Sequence, residues 1–348
     1  MRRVGLGWRP ELAAAIFANL DRIDVVEVIA DDWFDAGDRD LRALRLLSAT
    51  TPLILHGTSL GLASTHPADA RRLERTARLI DRVQPLLWSE HLAFVRAGGI
   101  EIGHLAAPPR TIETIEGLAA NVERARKITG VAPALENIAT LVDPPLSTMS
   151  EIEFVCEAIR TCGVPLLLDL HNLHANATNF GWCAKDFIAA IEDLPLAYIH
   201  LAGGRRIGGN RILDDHLHAT PDEVFALLAL VNADAMVVIE RDGRYPPFTE
   251  LLEEIERARQ VKGSPALPTT TAPIRPIGPI RPISPIEETL AVLYTDADAR
   301  ERFLSSPSFP IDREGLELAA ESFARKRSAQ RHGARASRPQ PPDVSSGG

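Results

Sequence analysis

Six short apolar runs in this chain each end in a residue that can bind a metal ion. The runs PLILH, LLWSEH, APALE, PLLLD, AYIH and MVVIE end in His56, His91 (preceded by Glu90), Glu136, Asp169, His200 and Glu240. Buried imidazoles and carboxylates are unfavourable unless they are paired or bound to a cation. Because six separate runs carry one, we expect these side chains to share a single charged site that holds metal.

The spacing of these runs predicts the fold. Apolar strands alternate with helical segments, such as Pro67 to Val83 and Thr148 to Thr161, to give eight strand–helix units in about 260 residues, the usual size of a (β/α)₈ TIM barrel. A longer connection, Arg96 to Pro109, is expected to be a loop over the strand ends. In this fold the loops at the C-terminal ends of the strands form the active site. The alternative, an open doubly wound sheet, gathers ligands at one switch point, and its GxGxxG signature is missing from the first turn, VGLGWRP.

The composition changes sharply after the barrel. We expect residues 1–260 to form the metal-binding barrel and 261–286, with the repeat PIRPIGPIRPISPI, to form an extended Pro-rich linker. Residues 287–330 predict two or three short helices in a small segment, which docks on the barrel, binds a partner or peptide, or is a partly ordered tail. Residues 331–348 are expected to be a disordered tail.

Charge, cysteine content and hydropathy exclude several classes of protein. The formal net charge of -9 argues against a nucleic-acid binder. Cys156, Cys162 and Cys183 show no CxxC spacing, so a disulfide framework or a thiolate zinc site is not expected. No apolar run is long enough to span a bilayer, which predicts a cytoplasmic protein without a membrane contact.

Further ligand candidates lie beside the strand ends. In ILDDHLH, an extended backbone would point Asp214 and His216 into one cavity and turn Asp215 away. His218 fits a solvent-exposed loop better than a ligand. After Asp169, both His171 and Asn172 are candidates, and periodicity cannot choose between them because the strand ends there.

Each candidate also has a structural explanation when taken alone. A single histidine at a strand end is commonly a hydrogen-bonded group, and Glu136 or Glu240 could form a buried ion pair with Arg241 or Arg124. Taken together, the imidazoles and carboxylates exceed what one zinc ion needs. Two or three metal ions bridged by carboxylates fit better, and ligation without thiolate suits iron or manganese as well as zinc.

The ordered blocks of the chain resemble a known family. The blocks HGTSLGL, SEHLAF, LENIA, LLLDLHNLHANATNFG, YIHLAG, LDDH and IERDGRYPPFTELLEEI are similar to those of the DUF692 family, the multinuclear non-haem iron-dependent oxidases related to the methanobactin biosynthesis oxidase. The resemblance covers roughly Val4 to Gln260. It implies a TIM barrel with two or three iron ions that uses O₂ to modify cysteine residues of a ribosomally made peptide.

The resemblance also implies ligands and partners. The matching motif positions give the metal ligands His56, His91, Glu136, Asp169, Asn172, His200, Asp214, His216 and Glu240. Glu136 and Glu240 are expected to bridge metals. The implied partners are a cysteine-containing precursor peptide and a protein that presents this peptide. The chain departs from the family where relatives read His-Leu-Ala-Gly-His, because Gly204 stands in place of the second histidine.

Two other classes of function remain open from the sequence. A divalent-metal TIM-barrel hydrolase or isomerase, of the sugar-isomerase or endonuclease type, also gathers His, Glu and Asp at strand ends, and it would work without oxygen. A non-catalytic metal-binding or partner-binding protein would bind metal and turn over no peptide.

Overall fold

The eight predicted barrel strands are present in the structure. The computed structural model describes residues 2–231, 234–261 and 284–336. The barrel strands, counted one to eight along the chain, are Val4–Gly7, Val26–Ile29, Leu53–His56, Leu87–His91, Ala134–Glu136, Leu166–Asp169, Leu196–Leu201 and Met236–Ile239.

These strands close into a parallel barrel. Each strand pairs with the next in chain order, and the first strand pairs with the eighth through Val4 and Val237. All pairs within the barrel are parallel. The prediction of a (β/α)₈ TIM barrel is therefore confirmed, and the candidate ligands stand where parallel strands end together.

Helices follow the strands and surround the barrel. They are Ala13–Ala18, Asp38–Thr50, Ala70–Val83, Ile112–Thr129, Glu151–Cys162, Leu170–Phe180, Ala184–Ala190, Asp222–Leu228 and Phe248–Gln260. Capping side chains set the start of four of these helices. Asp69 and Ser150 accept hydrogen bonds from the first turns of their helices, so these helices start three residues later than the predicted Pro67 and Thr148.

The prediction of a loop from Arg96 to Pro109 is wrong. Most of it, as far as Ala106, belongs to an antiparallel hairpin of Phe94–Ala97 and Ile100–Ala106, joined by Gly98 and Gly99 at positive φ. Paired glycines allow the tight turn that a two-residue hairpin needs. A smaller hairpin pairs Arg205–Arg206 with Ile212–Leu213. Both hairpins rise from the end of the barrel that carries the candidate ligands.

The apolar residues form separate cores. The largest core lies between strands and helices, and a smaller one, including Val25, Leu167 and Met236, fills the inside of the barrel. This interior core closes the barrel below the polar strand ends, as is usual for the fold. The charged strand ends therefore lie above this interior core.

The C-terminal segment consists of three helices, Ser284–Thr295, Ala297–Ser305 and Arg313–Ala336. It packs on the first hairpin through a core that includes Phe94, Ile102, Leu290 and Phe323. The predicted Pro-rich linker, 261–286, lies almost wholly outside the described residues, and the helix begins at Ser284, before its predicted end. The last helix also continues past residue 330, where the sequence predicts disorder, and residues 337–348 lie outside the described part. The division into domains stays a prediction.

Two further features bear on the sequence expectations. Within the described ranges, no helix combines the length and the apolar character that a bilayer span requires. Cys156, Cys162 and Cys183 are all unpaired, and the first two are buried.

Candidate metal centre

The strand ends bring most of the predicted ligands into one continuous cluster. Four sets of three side chains place their potential ligand atoms within 4.8 Å of one another. These sets are His56, His91 and Glu136; Glu136, Asp169 and His200; Asp169, His216 and Glu240; and His171, Asp214 and His216. Because Glu136, Asp169 and His216 each belong to two sets, the four sets form a single chain across the mouth of the barrel.

The first set joins the third, fourth and fifth strands. His56 Nε2 and His91 Nε2 lie 3.3 Å and 3.1 Å from the same oxygen, Glu136 Oε2. His91 Nδ1 lies 3.0 Å from the Gly57 carbonyl oxygen, which can only accept a hydrogen bond. Neutral His91 therefore carries its proton on Nδ1 and has a free lone pair on Nε2, the form that binds metal.

The middle of the cluster surrounds His200 at the end of the seventh strand. Its Nδ1 atom lies 3.3 Å from Glu136 Oε1 and 3.3 Å from Glu240 Oε2. Asp169 Oδ2 is 3.9 Å from the same nitrogen. Glu136 thus directs one oxygen to each of two neighbouring sets, which is the geometry of a bridging carboxylate.

The third part of the cluster lies on the loop after the second hairpin. Asp214 Oδ1 is 2.7 Å from His171 Nδ1 and 2.9 Å from His216 Nε2, and His216 Nδ1 is 3.2 Å from Glu240 Oε2. Asp214 and His216 meet as predicted, although the backbone is not simply extended, because His216 has φ 55. A positive φ is uncommon for a residue with a side chain, although histidine adopts it several times more often than most residues. As expected, Asp215 turns away, to Arg205 and His218.

The structure assigns different positions to the two candidates after Asp169. The sixth strand ends at Asp169, and the following helix begins at Leu170 with the Asn172 N–H donating to Asp169 Oδ1 over 2.6 Å. His171 belongs to the fourth set, with Asp214 and His216. Asn172 donates to the Asn137 carbonyl oxygen and leaves its own buried Oδ1 without a partner at the cavity. Both residues therefore face the cluster.

The pattern of unsatisfied atoms fits a bound metal. In the described ranges, eight buried side-chain N or O atoms have no hydrogen bond of good geometry. Glu136 Oε2, Asp169 Oδ2 and His216 Nε2 belong to the cluster, where the first and last have only ion-pair contacts, and Asn172 Oδ1 faces it. Buried polar atoms are normally hydrogen-bonded, so a concentration of exceptions calls for an ion or water. Imidazole nitrogens and carboxylate oxygens without thiolate suit iron, manganese or zinc.

The electrostatics of the cluster point the same way. Burial raises the pKa of Asp169 to about 7. Burial alone would lower the pKa of His91, but Glu136 and Glu90 outweigh it and raise that pKa to about 9. Without metal, the crowded carboxylates therefore hold protons on the cluster. Because metal ligands must be deprotonated, divalent cations can take the place of these protons.

Several residues of the site escaped the sequence analysis. Arg9 Nη2 lies 3.2 Å from Glu240 Oε1, so Arg9, and not Arg241 or Arg124, is the cation beside that carboxylate. Arg241 instead pairs with Glu254. Below the cluster, inside the barrel, lies a buried polar layer that consists of Glu27, Ser89 and Tyr198. Glu27 could have been identified from the sequence, because it is a lone charge within the apolar strand VVEVI.

The cluster opens into a cavity of about 670 Å³. Its walls include His104 of the first hairpin and Ser322, Phe323 and Lys326 of the last helix. The Phe323 ring contacts the His104 ring at a centroid distance of 4.6 Å. The C-terminal segment thus supplies one side of the cavity over the candidate metal centre, which the sequence did not predict.

The fold has counterparts among solved structures. D-psicose 3-epimerase from Clostridium cellulolyticum H10, solved with D-tagatose, aligns with a TM-score of 0.51 over 76% of this chain and 100% of that chain. The two sequences are 15% identical. At this identity the likeness shows a common barrel fold and nothing about the reaction.

Relatives at higher identity identify the family. A UPF0276 protein of Streptomyces avermitilis is 36% identical over 74% of this chain and 54% of its own length. Another, from Nitrosospira multiformis, is 31% identical over 73% of this chain and 91% of its own length. The match thus spans about half of the first relative and most of the second. The model of the RiPP precursor modification enzymes MbnB/TglH/ChrH matches residues 3–263. The chain therefore belongs to this family, the DUF692 family of enzymes that modify ribosomally made precursor peptides.

Proposed function

We propose that this protein is a multinuclear non-haem iron oxidase that uses O₂ to modify cysteine residues of a ribosomally made peptide. The observation that carries the proposal is the sharing of Glu136, Asp169 and His216 between neighbouring sets of ligand atoms. Shared carboxylates suit two or three adjacent metal ions better than one. Membership in a family of precursor-modifying enzymes supports a peptide as the substrate.

The residues that would hold the metals follow from the four sets. The proposed ligands are His56, His91, Glu136, Asp169, Asn172, His200, Asp214, His216 and Glu240, to which we add His171 because it lies in the fourth set. Asn172 belongs to none of the sets and is kept because its unpartnered Oδ1 lies at the cavity. Bound ferrous iron would supply the activation of O₂ and a binding position for the cysteine thiolate, whose deprotonation a metal favours.

The protein itself would orient these ligands and admit the peptide. Arg9 holds Glu240 by an ion pair, and Asn137 exchanges two hydrogen bonds of 2.9 Å with the backbone of Asp169. The first contact holds a ligand side chain, and the second holds the backbone that carries one. The cavity of about 670 Å³ is within the range of small-ligand sites and would admit a peptide side chain with its neighbouring backbone. A protein that presents the peptide remains part of the proposal.

Metal analysis with Mössbauer spectroscopy on anaerobically purified protein tests this proposal. We expect two or three iron ions per chain and a spectrum of coupled iron sites. We also expect consumption of O₂ when a cysteine-bearing peptide encoded beside the gene is added. A single zinc or manganese ion per chain, with turnover that does not need oxygen, would instead support a hydrolase or isomerase of the sugar-isomerase type. Full metal content without any turnover would support a binding protein.

A further inference from the structure

The polar layer below the metal cluster, defined above as Glu27, Ser89 and Tyr198, is tied to two of the proposed ligands. Ser89 and Tyr198 stand two residues before His91 and His200 on the fourth and seventh strands, so each pair points to the same side of its strand, into the barrel. Glu27 reaches this layer from the second strand. All three side chains are fully buried.

A continuous row of hydrogen bonds runs through this layer. Glu27 Oε2 accepts from the Tyr198 hydroxyl over 2.6 Å and lies 2.9 Å from His200 Nε2. The Tyr198 hydroxyl is 2.7 Å from Ser89 Oγ, and Ser89 Oγ is 2.7 Å from His56 Nδ1. One carboxylate oxygen is therefore connected to His200 directly and to His56 through two hydroxyl groups.

The direction of every hydrogen bond in the row follows from its end. Tyr198 has one hydroxyl hydrogen and donates it to Glu27, so Ser89 must donate its hydrogen to Tyr198. Ser89 Oγ can then only accept from His56, which places the His56 proton on Nδ1. By the same reasoning His200 donates from Nε2 to Glu27. In their neutral forms, His56 has a bare Nε2 and His200 has a bare Nδ1.

These bare nitrogens are the ones that face the carboxylates of the cluster. His56 Nε2 is 3.3 Å from Glu136 Oε2, and His200 Nδ1 is 3.3 Å from Glu136 Oε1. A bare nitrogen and a carboxylate oxygen at this distance repel each other unless a proton or a metal ion lies between them. We propose that Glu27 is a positioning residue that fixes, from one carboxylate, which nitrogen of His56 and of His200 is offered to metal. This inference rests on the metal-binding role proposed above.

The row makes a prediction that a purely structural role would not make. Tyr198→Phe breaks the path to His56 but leaves the contact between Glu27 and His200, whereas Glu27→Gln disturbs both histidines. His91 is outside the row because the Gly57 carbonyl sets its tautomer. Tyr198→Phe should therefore weaken one class of metal site, and Glu27→Gln should weaken two.

Anaerobic titration of the metal-free full-length protein with Co²⁺, in competition with a chelator, measures these effects. Loss of a group that orients a metal ligand typically lowers affinity about 10- to 100-fold. We expect that loss at one site in Tyr198→Phe and at two sites in Glu27→Gln. Thr114→Val, which removes a buried hydroxyl bond to the Pro109 carbonyl elsewhere in the barrel, should bind Co²⁺ like the wild type.

A second measurement does not depend on the variants folding. In Zn²⁺-loaded protein with ¹⁵N-labelled histidine, NMR should show coordination through Nε2 of His56 and through Nδ1 of His200. Coordination of His200 through Nε2 would overturn the inference, as would wild-type Co²⁺ affinity in Glu27→Gln, or equal effects of the two variants. If the wild type contains iron and both variants bind Co²⁺ with wild-type affinity, this inference is overturned and the proposed function is not. If the wild type contains zinc and no iron, but Co²⁺ affinity falls at one site in Tyr198→Phe and at two in Glu27→Gln, only the iron assignment is overturned. If the protein binds no metal at all, both proposals are overturned.

Discussion

Gly204 lies directly against His171 in the third part of the cluster. A Cβ atom at position 204 would come within 2.6 Å of His171 Cε1 and 2.3 Å of the Leu213 carbonyl oxygen. The His171 ring fills the space beside this glycine. The absence of a side chain at Gly204 therefore leaves room for an imidazole of the cluster.

Gly204→Ala should displace His171 and weaken the metal site that it shares with Asp214 and His216. We expect affinity for one of the bound metals to fall by about tenfold or more, the size of effect seen when a ligand loses its support. Metal analysis after dialysis against a weak chelator measures the loss. Gly208→Ala is the matched control, because its new methyl group would meet Glu314 at an ordinary 3.7 Å. Full metal content in Gly204→Ala would show that His171 is not needed.

Glu240→Gln tests the bridging role predicted for Glu240. Its Oε2 atom lies 3.3 Å from His200 Nδ1 and 3.2 Å from His216 Nδ1, so it connects the second and third parts of the cluster. An amide is a poor metal ligand in a bridge, and we expect metal content and O₂-dependent activity to fall together. Glu254→Gln, which alters a carboxylate paired with Arg241 on the surrounding helix, should keep the metal. Unchanged metal content and activity in Glu240→Gln would refute the bridge.

Glu287→Gln tests how the C-terminal segment is held on the barrel. Glu287 is fully buried and accepts hydrogen bonds from the Ser64 hydroxyl over 2.6 Å and the Thr65 N–H over 3.0 Å. Hydrogen bonds to a charged group contribute about 1.5–3 kcal/mol each, so the variant should loosen the segment by an energy of that order. Hydrogen exchange should rise in the helix Ser284–Thr295 and stay unchanged in the strand Leu166–Asp169.

Glu288→Gln is the matched control for this prediction. The Glu288 side chain is 47% exposed and reaches His66 only at 3.6 Å, so its neutralisation should change hydrogen exchange very little. Because Phe323 and Lys326 line the cavity, loosening of the segment should also alter substrate binding without removing metal. Equal exchange in both variants would contradict a specific role for Glu287.

The strand ends could be read from the sequence because the barrel imposes a simple rule. All parallel strands of a barrel end at the same end of the barrel. The last polar residue of each apolar run therefore lies beside the others there, as Glu136 and His200 do. Glu27 was not identified from the sequence because it lies inside an apolar run. Only the alternation of side chains along the strand shows that it points into the barrel. The packing of the last helix could not be predicted from the sequence, because its pattern predicts a helix but not the surface against which Phe323 packs.

Glu151 gives the protein a pH dependence that is separate from the metal centre. Burial raises the pKa of its carboxyl group to about 7, partly opposed by a hydrogen bond from Asn176 and by Arg110. A carboxyl group whose pKa is higher in the folded than in the unfolded protein makes a contribution to stability that is fully present below the unfolded pKa of about 4.3. This contribution is lost as the pH rises through about 7.

Glu151→Gln should therefore become more stable than the wild type as the pH rises from 5 to 8. Each unit of pKa shift corresponds to about 1.4 kcal/mol, and because Glu151 is partly exposed we expect a gain of about 1–3 kcal/mol at pH 8. Urea unfolding at several pH values measures it. Glu151→Asp keeps the charge and should keep the pH dependence. A constant difference between Glu151→Gln and the wild type across this range would show that Glu151 ionises in the folded protein as it does in the unfolded chain.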